Sequence, residues 1–403
     1  MVLYKIWLQG EMMFSIALVG HVDHGKSTLI GRLLYDTNSL PEGKIDEIKK
    51  TCEALGKNFE FAYVVDALEE ERKNQMTIET SQTFFKTQKR EYALIDAPGH
   101  KEFIKNMVTG ASQADASILI VDVKEGVKEQ TRRHAYLLKF LDALPVIVCI
   151  NKMDLVNYSE KEYLKAKKEI EDYLKLIGIK PIAIIPISAY AGDNVVKKSK
   201  NMPWYDGLTL TEVLDSLDIK SKREETLFFV QEKYKDIYLG NLLSGSIKRH
   251  QKLFVLPENK EVEVGRIVYG ENEVEEVKAP KAIGITCNKE LRRGNLLVKD
   301  PNQFHISRKI NAVVFVLSDK IKKNESYTLR LLTQETIFRV RKIREKIDID
   351  TLERKEAKEL KELDAGIIEI ETEKPLAFTK SVKEVSRFVI LKKGKILAGG
   401  KII

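Results

Sequence analysis

The chain has 403 residues, room for two or three domains, and 43% of them are apolar, ordinary for a globular protein. Charged residues reach 32%, and 68 basic against 60 acidic side chains leave a net charge of +8, which fits either an anionic partner or a lysine- and glutamate-rich, heat-adapted surface. No run approaches the roughly 18 apolar residues of a membrane-spanning helix, residues 1–10 are too short and mixed for a signal peptide, and Cys52, Cys149 and Cys287 lack metal-ligand spacing, so a reducing cytoplasm is the expected compartment.

An apolar run at residues 14–19 reads as a buried strand, and a helical pattern covers residues 26–35. Between them stand Gly20, His21, Val22, Asp23, His24, Gly25, Lys26 and Ser27, with Thr28 next in line. A glycine, four residues, then Gly-Lys-Ser between strand and helix is a phosphate-binding loop. The glycines let backbone N–H groups turn in on phosphate oxygens, and the helix N-terminus adds positive potential. Lys26 reaches the β- and γ-phosphates, and Ser27 offers its hydroxyl to a magnesium ion. The spacing of His21 and His24 also suits a metal pair, but phosphate-loop geometry accounts for both. The pattern starts near Phe14, so Met12 or Met13 is the expected start, or the first residues add a strand or arm.

A charged helical stretch follows at 43–54, then a strand at 92–95 that ends in Asp96, Ala97, Pro98, Gly99 and His100. Asp96 is placed to hold a magnesium-bound water, and Gly99 to sense a γ-phosphate through its N–H. Helical patterns at 101–112, 128–141 and 160–176 alternate with strands at 146–150 and 182–187. That alternation implies an α/β domain, a mostly parallel sheet with helices on both faces. The strand at 146–150 runs into Asn151, Lys152, Met153 and Asp154, the base-reading tetrapeptide of GTPases. The Asp154 carboxylate can accept from N1–H and the 2-amino group of guanine, whereas adenine would leave it unpaired. Asn151 and Lys152 hold the loop and cover the base, and Ser188 with Ala189 would present an N–H to the guanine oxygen. The ligand implied is GTP or GDP with Mg2+.

Beyond residues 220–225 the pattern changes to short β-rich runs at 227–231, 239–246, 252–256, 261–269, 273–277 and 282–287, which read as a small barrel. After Pro301, Asn302 and Gln303, runs at 309–316, 326–332, 335–344, 365–371 and 386–391 read as a second barrel, with residues 355–361 a solvated charged excursion. The expected domains are 13–219 for GTP binding, 220–300 for the first barrel and 301–403 for the second.

The phosphate loop, the segment Asp96 to His100 and the helix at 103–111 resemble translation-factor-type GTPases over nearly the whole chain. The resemblance implies that Thr77, in the segment 71–78, completes the magnesium shell and that His100 orients the attacking water. Within that family, three stretches resemble the CysN group, the GTPase subunit of heterodimeric ATP sulfurylase. These are 130–134, 192–205 (shared with elongation factor 1-alpha) and the set 348–354, 363–366 and 372–376. The expected function is therefore a regulatory subunit coupling GTP hydrolysis to adenosine 5′-phosphosulfate synthesis by a small adenylylating partner. The alternative is an elongation factor 1-alpha-like carrier of aminoacyl-tRNA to the ribosome, favoured by His24 and the basic balance. The sequence departs from the family at Gln75 and Met76, where the switch usually reads Gly-Ile, and the start of the second domain, 228–247, is shortened.

Overall fold

A computed structural model describes residues 14–54, 56, 58–74, 82–96, 114–140, 142, 145–217, 225–349 and 351–403, with Val22, residues 69–74, Gln82 and Asp96 described through the backbone alone. The chain divides into two compact units, with the boundary between Ile219 and Lys220.

The first unit is built on a six-stranded sheet. Its strands are β1 (Phe14–Gly20), β2 (Gln82–Lys86), β3 (Glu91–Asp96), β4 (Ala116–Asp122), β5 (Val146–Asn151) and β6 (Ala183–Pro186), in the order β2-β3-β1-β4-β5-β6. All neighbours are parallel except β2, which runs antiparallel to β3 at the edge. Every residue of β4 and β5 is buried, as central parallel strands covered on both faces require. The described helices are α1 (Lys26–Asp36), α2 (Lys44–Ala54), α3 (Ala62–Asn74), α4 (Glu129–Phe140), α5 (Glu160–Leu176) and α6 (Leu210–Ser216). Ile16 and Leu18 of β1 pack with Leu29, Ile30 and Leu33 of α1 and Val64 of α3 in one core. Cys149 is fully buried in β5. The expected helix at 101–112 lies outside the described residues. No described helix is long and apolar enough to cross a membrane.

The second unit holds two closed antiparallel barrels. In the first, the ring runs Lys252–Leu256, Leu296–Val298, Leu227–Tyr234, Ile237–Ser244, Lys281–Cys287 and Lys260–Tyr269, closed by pairing between the first and last of these. The shortened segment at 228–247 is a tight hairpin whose turn is Lys235 and Asp236, with Lys235 at φ 54°. In the second ring the order is Ser326–Leu331, Arg387–Lys392, Lys395–Ile402, His305–Val316, Ala365–Phe378 and Gln334–Ile347, closed in the same manner. Leu227, Phe229, Leu256, Leu296 and Val298 of one barrel pack with Ala377, Val382 and Val385 of the other. The stretch at 355–361 is not a solvated excursion throughout. Glu359–Lys361 pairs with Lys320–Lys322 as a short strand, and Leu360 is buried beneath it.

Candidate functional site

The carboxyl ends of β1, β4 and β5 lie side by side, where open parallel sheets place their ligands. The phosphate loop leaves β1 there. Gly25 stands at φ 91°, and a Cβ on it would lie 2.5 Å from Asn151 Nδ2, so only glycine fits between loop and base-reading segment. Lys26 is buried at the start of α1, and its Nζ donates to the carbonyl oxygens of Gly20 (2.7 Å) and His21 (2.9 Å). Those bonds aim the ammonium into the loop that the phosphates would enter. Ser27 and Thr28 occupy the first turn of α1 behind it.

The loops expected to read guanine are joined by side chains. Asn151 Nδ2 donates to the His24 carbonyl (2.9 Å), and its Oδ1 accepts from the Ala189 N–H (2.9 Å). One amide thus pins the phosphate loop to the Ser188–Ala189 segment. The Ala189 N–H, in the segment expected to face the guanine oxygen, donates to Asn151. Ser188 Oγ donates to Asp154 Oδ1 at 2.6 Å and accepts from the Ala191 N–H at 3.1 Å, fixing the carboxylate that would face the base. Lys152 sits at φ 66° and pairs with Asp122 at 2.7 Å. Burial works against a charge on Asp122, but the Lys152 ammonium and the N–H groups of Lys124 and Glu125 outweigh it and hold the carboxyl below its ordinary range. His24 is fully buried. Burial pulls it below the ordinary histidine value, against the opposing pull of the Ile120 carbonyl and Glu125.

Asp96 ends β3 opposite Leu18, two residues before Gly20. Thr77, Gly99 and His100, with Gln75 and Met76, lie outside the described residues. Two positions escaped the sequence reading. Asp122 was announced only by an acid ending an apolar strand. Arg32 donates to Asp36 (2.8 Å) and to the Tyr190 carbonyl (3.4 Å), while its guanidinium lies 4.9 Å from the Phe61 ring centre. It ties the base loop to the residue before α3, and nothing local in the sequence signals that.

Residues 11–226 match the elongation factor Tu GTP-binding domain, and residues 309–403 match the GTP-eEF1A C-terminal domain-like family. The chain belongs to the translation-factor GTPases. It is 37% identical to elongation factor 1-alpha of Archaeoglobus fulgidus over 96% of this chain and 97% of that protein. The same factor from Methanoculleus marisnigri is 35% identical over 96% of each chain, and that of Pyrococcus furiosus is 35% identical over 96% of this chain and 97% of its own. Among solved structures, sup35 complexed with GDP is similar at 25% identity, covering 98% of this chain and 94% of that one, with a TM-score of 0.44, too loose a match to bear on function. The family binds and hydrolyses GTP, and the guanine nucleotide expected from the motifs stands.

These relatives overturn the sulfurylase expectation. The stretches that suggested it serve the fold instead. Thr131 and His134 are buried in α4. Asp348 and Thr351 close a turn through the N–H groups of Thr351 and Glu353. Thr372 Oγ1 donates to the Lys374 carbonyl (2.7 Å) and lies 3.2 Å from the carbonyl oxygen of Arg308 on the neighbouring strand of the last barrel. Residues that a barrel needs for its own turns and pairings do not distinguish one GTPase partner from another.

Proposed function

We propose that this chain is an elongation factor 1-alpha-like GTPase that, with GTP bound, carries aminoacyl-tRNA to the ribosome in the cytoplasm. The observation that carries this reading is the likeness to proteins named elongation factor 1-alpha over 96% of the chain, barrels included. The net charge of +8 suits a polyanionic partner.

In this reading the units are residues 13–219 for GTP and residues 220–300 and 301–403 for the two barrels. Backbone N–H groups from Gly20, His21, Val22, Asp23, His24 and Gly25 turn toward the phosphates, with Lys26 on the β- and γ-phosphates and Ser27 and Thr28 at the helix start. Asp154 reads the base, Asn151 and Ala189 frame it, Ser188 fixes Asp154, and Lys152 is held over the base by Asp122. The oxygen donors of Ser27, Thr77 and Asp96 suit a hard cation, and Mg2+ held there would neutralise charge on the phosphates. His100 would orient water for attack on the γ-phosphorus as the bond to the β-phosphate oxygen breaks, giving GDP and phosphate. Gly99 and Thr77 would let go once the γ-phosphate leaves, ending the grip on tRNA.

The test exchanges the base. An amide at position 154 pairs with the 2-oxo group of xanthine, so Asp154→Asn should retain aminoacyl-tRNA on a filter with xanthosine triphosphate and lose retention with GTP. Unchanged GTP-dependent retention would overturn the guanine assignment. No retention by the wild-type chain with any nucleotide would overturn the carrier reading.

A further inference from the structure

We propose that His21, His24 and Glu125 form a binding site for a divalent transition-metal ion of the zinc class, joining the phosphate loop to the turn after β4. Among the described residues these three side chains bring their ligand atoms within 4.8 Å of one another. The His24 ring faces two acceptors: Nδ1 lies 3.3 Å from the Ile120 carbonyl oxygen and Nε2 lies 3.3 Å from Glu125 Oε2. A neutral imidazole has one N–H and can satisfy only one of them. With the proton on Nδ1, a bare Nε2 lone pair points at a carboxylate oxygen, an opposition that a cation between them removes.

The arrangement matches what such an ion needs. Metal-ligating imidazoles commonly donate their other N–H to a backbone carbonyl, the role Ile120 offers His24. Two ligands 3.3 Å apart, on bonds of about 2.0–2.1 Å, meet at the ion at roughly 107°, close to the tetrahedral angle. The His21 ring lies 5.1 Å from that of His24 between centroids and supplies the third ligand. Drawing it in costs the exposed 3.3 Å contact between its Nδ1 and the Asp23 N–H. The Glu125 side chain is 41% exposed, which gives ions a path from solvent, and its N–H donates to Asp122 Oδ1 at 3.2 Å, which fixes its backbone. Two imidazoles and one carboxylate favour zinc, cobalt or nickel over magnesium and leave a coordination position open. This site is separate from the oxygen donors proposed for Mg2+ and does not rest on the tRNA reading.

The test uses the full chain, stripped with chelator, saturated with GDP and Mg2+, and titrated with Co2+ while visible absorption is recorded. One Co2+ per chain should bind with the bands of a nitrogen- and oxygen-ligated tetrahedral ion, and Zn2+ should displace it. Glu125→Gln and His21→Ala alter partly exposed side chains, and each should weaken Co2+ binding by more than about tenfold, since one of three ligands is lost. Glu125→Gln should leave GDP affinity unchanged. Absence of the bands, or binding by both variants equal to wild type, would overturn the site while leaving guanine selectivity, measured separately, intact.

Discussion

Gly25 carries a steric demand where the phosphate loop meets Asn151. Its left-handed backbone and the Asn151 amide 2.5 Å from any added Cβ act at one point. Strain of this kind costs about 1–3 kcal/mol, so Gly25→Ala should weaken GDP binding about 5- to 150-fold, read by equilibrium dialysis. His24 makes a pH prediction. Its folded value lies below its unfolded one because the ring is buried, so the unfolded chain takes up more protons as pH falls. The contribution of this group to stability is full above about 6.5 and is lost on acidification below it. The melting temperature should fall between pH 7.5 and 5.5, and by less in His24→Asn; equal slopes would show that His24 is not the titrating group. The phosphate-loop and base-reading motifs stand out in the sequence because each is a contiguous string with fixed spacing. Glu125, Asp122 and Arg32 do not, because His24, Lys152 and Tyr190 stand 30 to 158 positions away and only the folded sheet brings them near.

Among the elements, α6 shows how a short helix is held. It has seven residues, capped by Thr209 and Glu212 in a reciprocal box, and it carries Asp215 to the turn between β2 and β3. There Asp215 Oδ1 accepts from Tyr92 Oη at 2.5 Å and from Thr87 Oγ1 at 2.8 Å. Tyr92 is fully buried, so Asp215→Ala strands its hydroxyl and should cost about 1–3 kcal/mol of stability. Urea denaturation reads this; a midpoint equal to wild type would mean that the hydroxyl finds another partner. Elements with long apolar runs, such as β5 and α5, were legible within a residue or two. The helix α6 was passed over although Thr209 and Glu212 spell its start, because seven residues hold too little periodicity to stand out. The helix α3 was not legible because its apolar positions stop at Leu68 and six charged or polar residues, 69–74, follow. Ala365–Phe378 runs seven residues past the run seen in the sequence, since His305–Ser307 pairs with residues 376–378 beyond a register shift.

At the scale of the molecule, the order of an α/β nucleotide domain followed by two barrels was readable from the change in hydrophobic period near residue 220. The partner was not. Sequence strings in α4 and the last barrel pointed to a sulfurylase, and their side chains turned out to hold turns, cores and strand pairs. Partner choice depends on surfaces assembled from several elements, which no single string reports. The carrier reading requires the triphosphate and diphosphate forms to differ in their grip on aminoacyl-tRNA. The decisive measurement is the affinity of the purified chain for aminoacyl-tRNA with a non-hydrolysable GTP analogue against GDP at one fixed salt concentration. The account predicts binding tighter with the analogue by about 5- to 150-fold, the usual span of a coupling between two sites. Equal affinity in the two forms, or none in either, would contradict it.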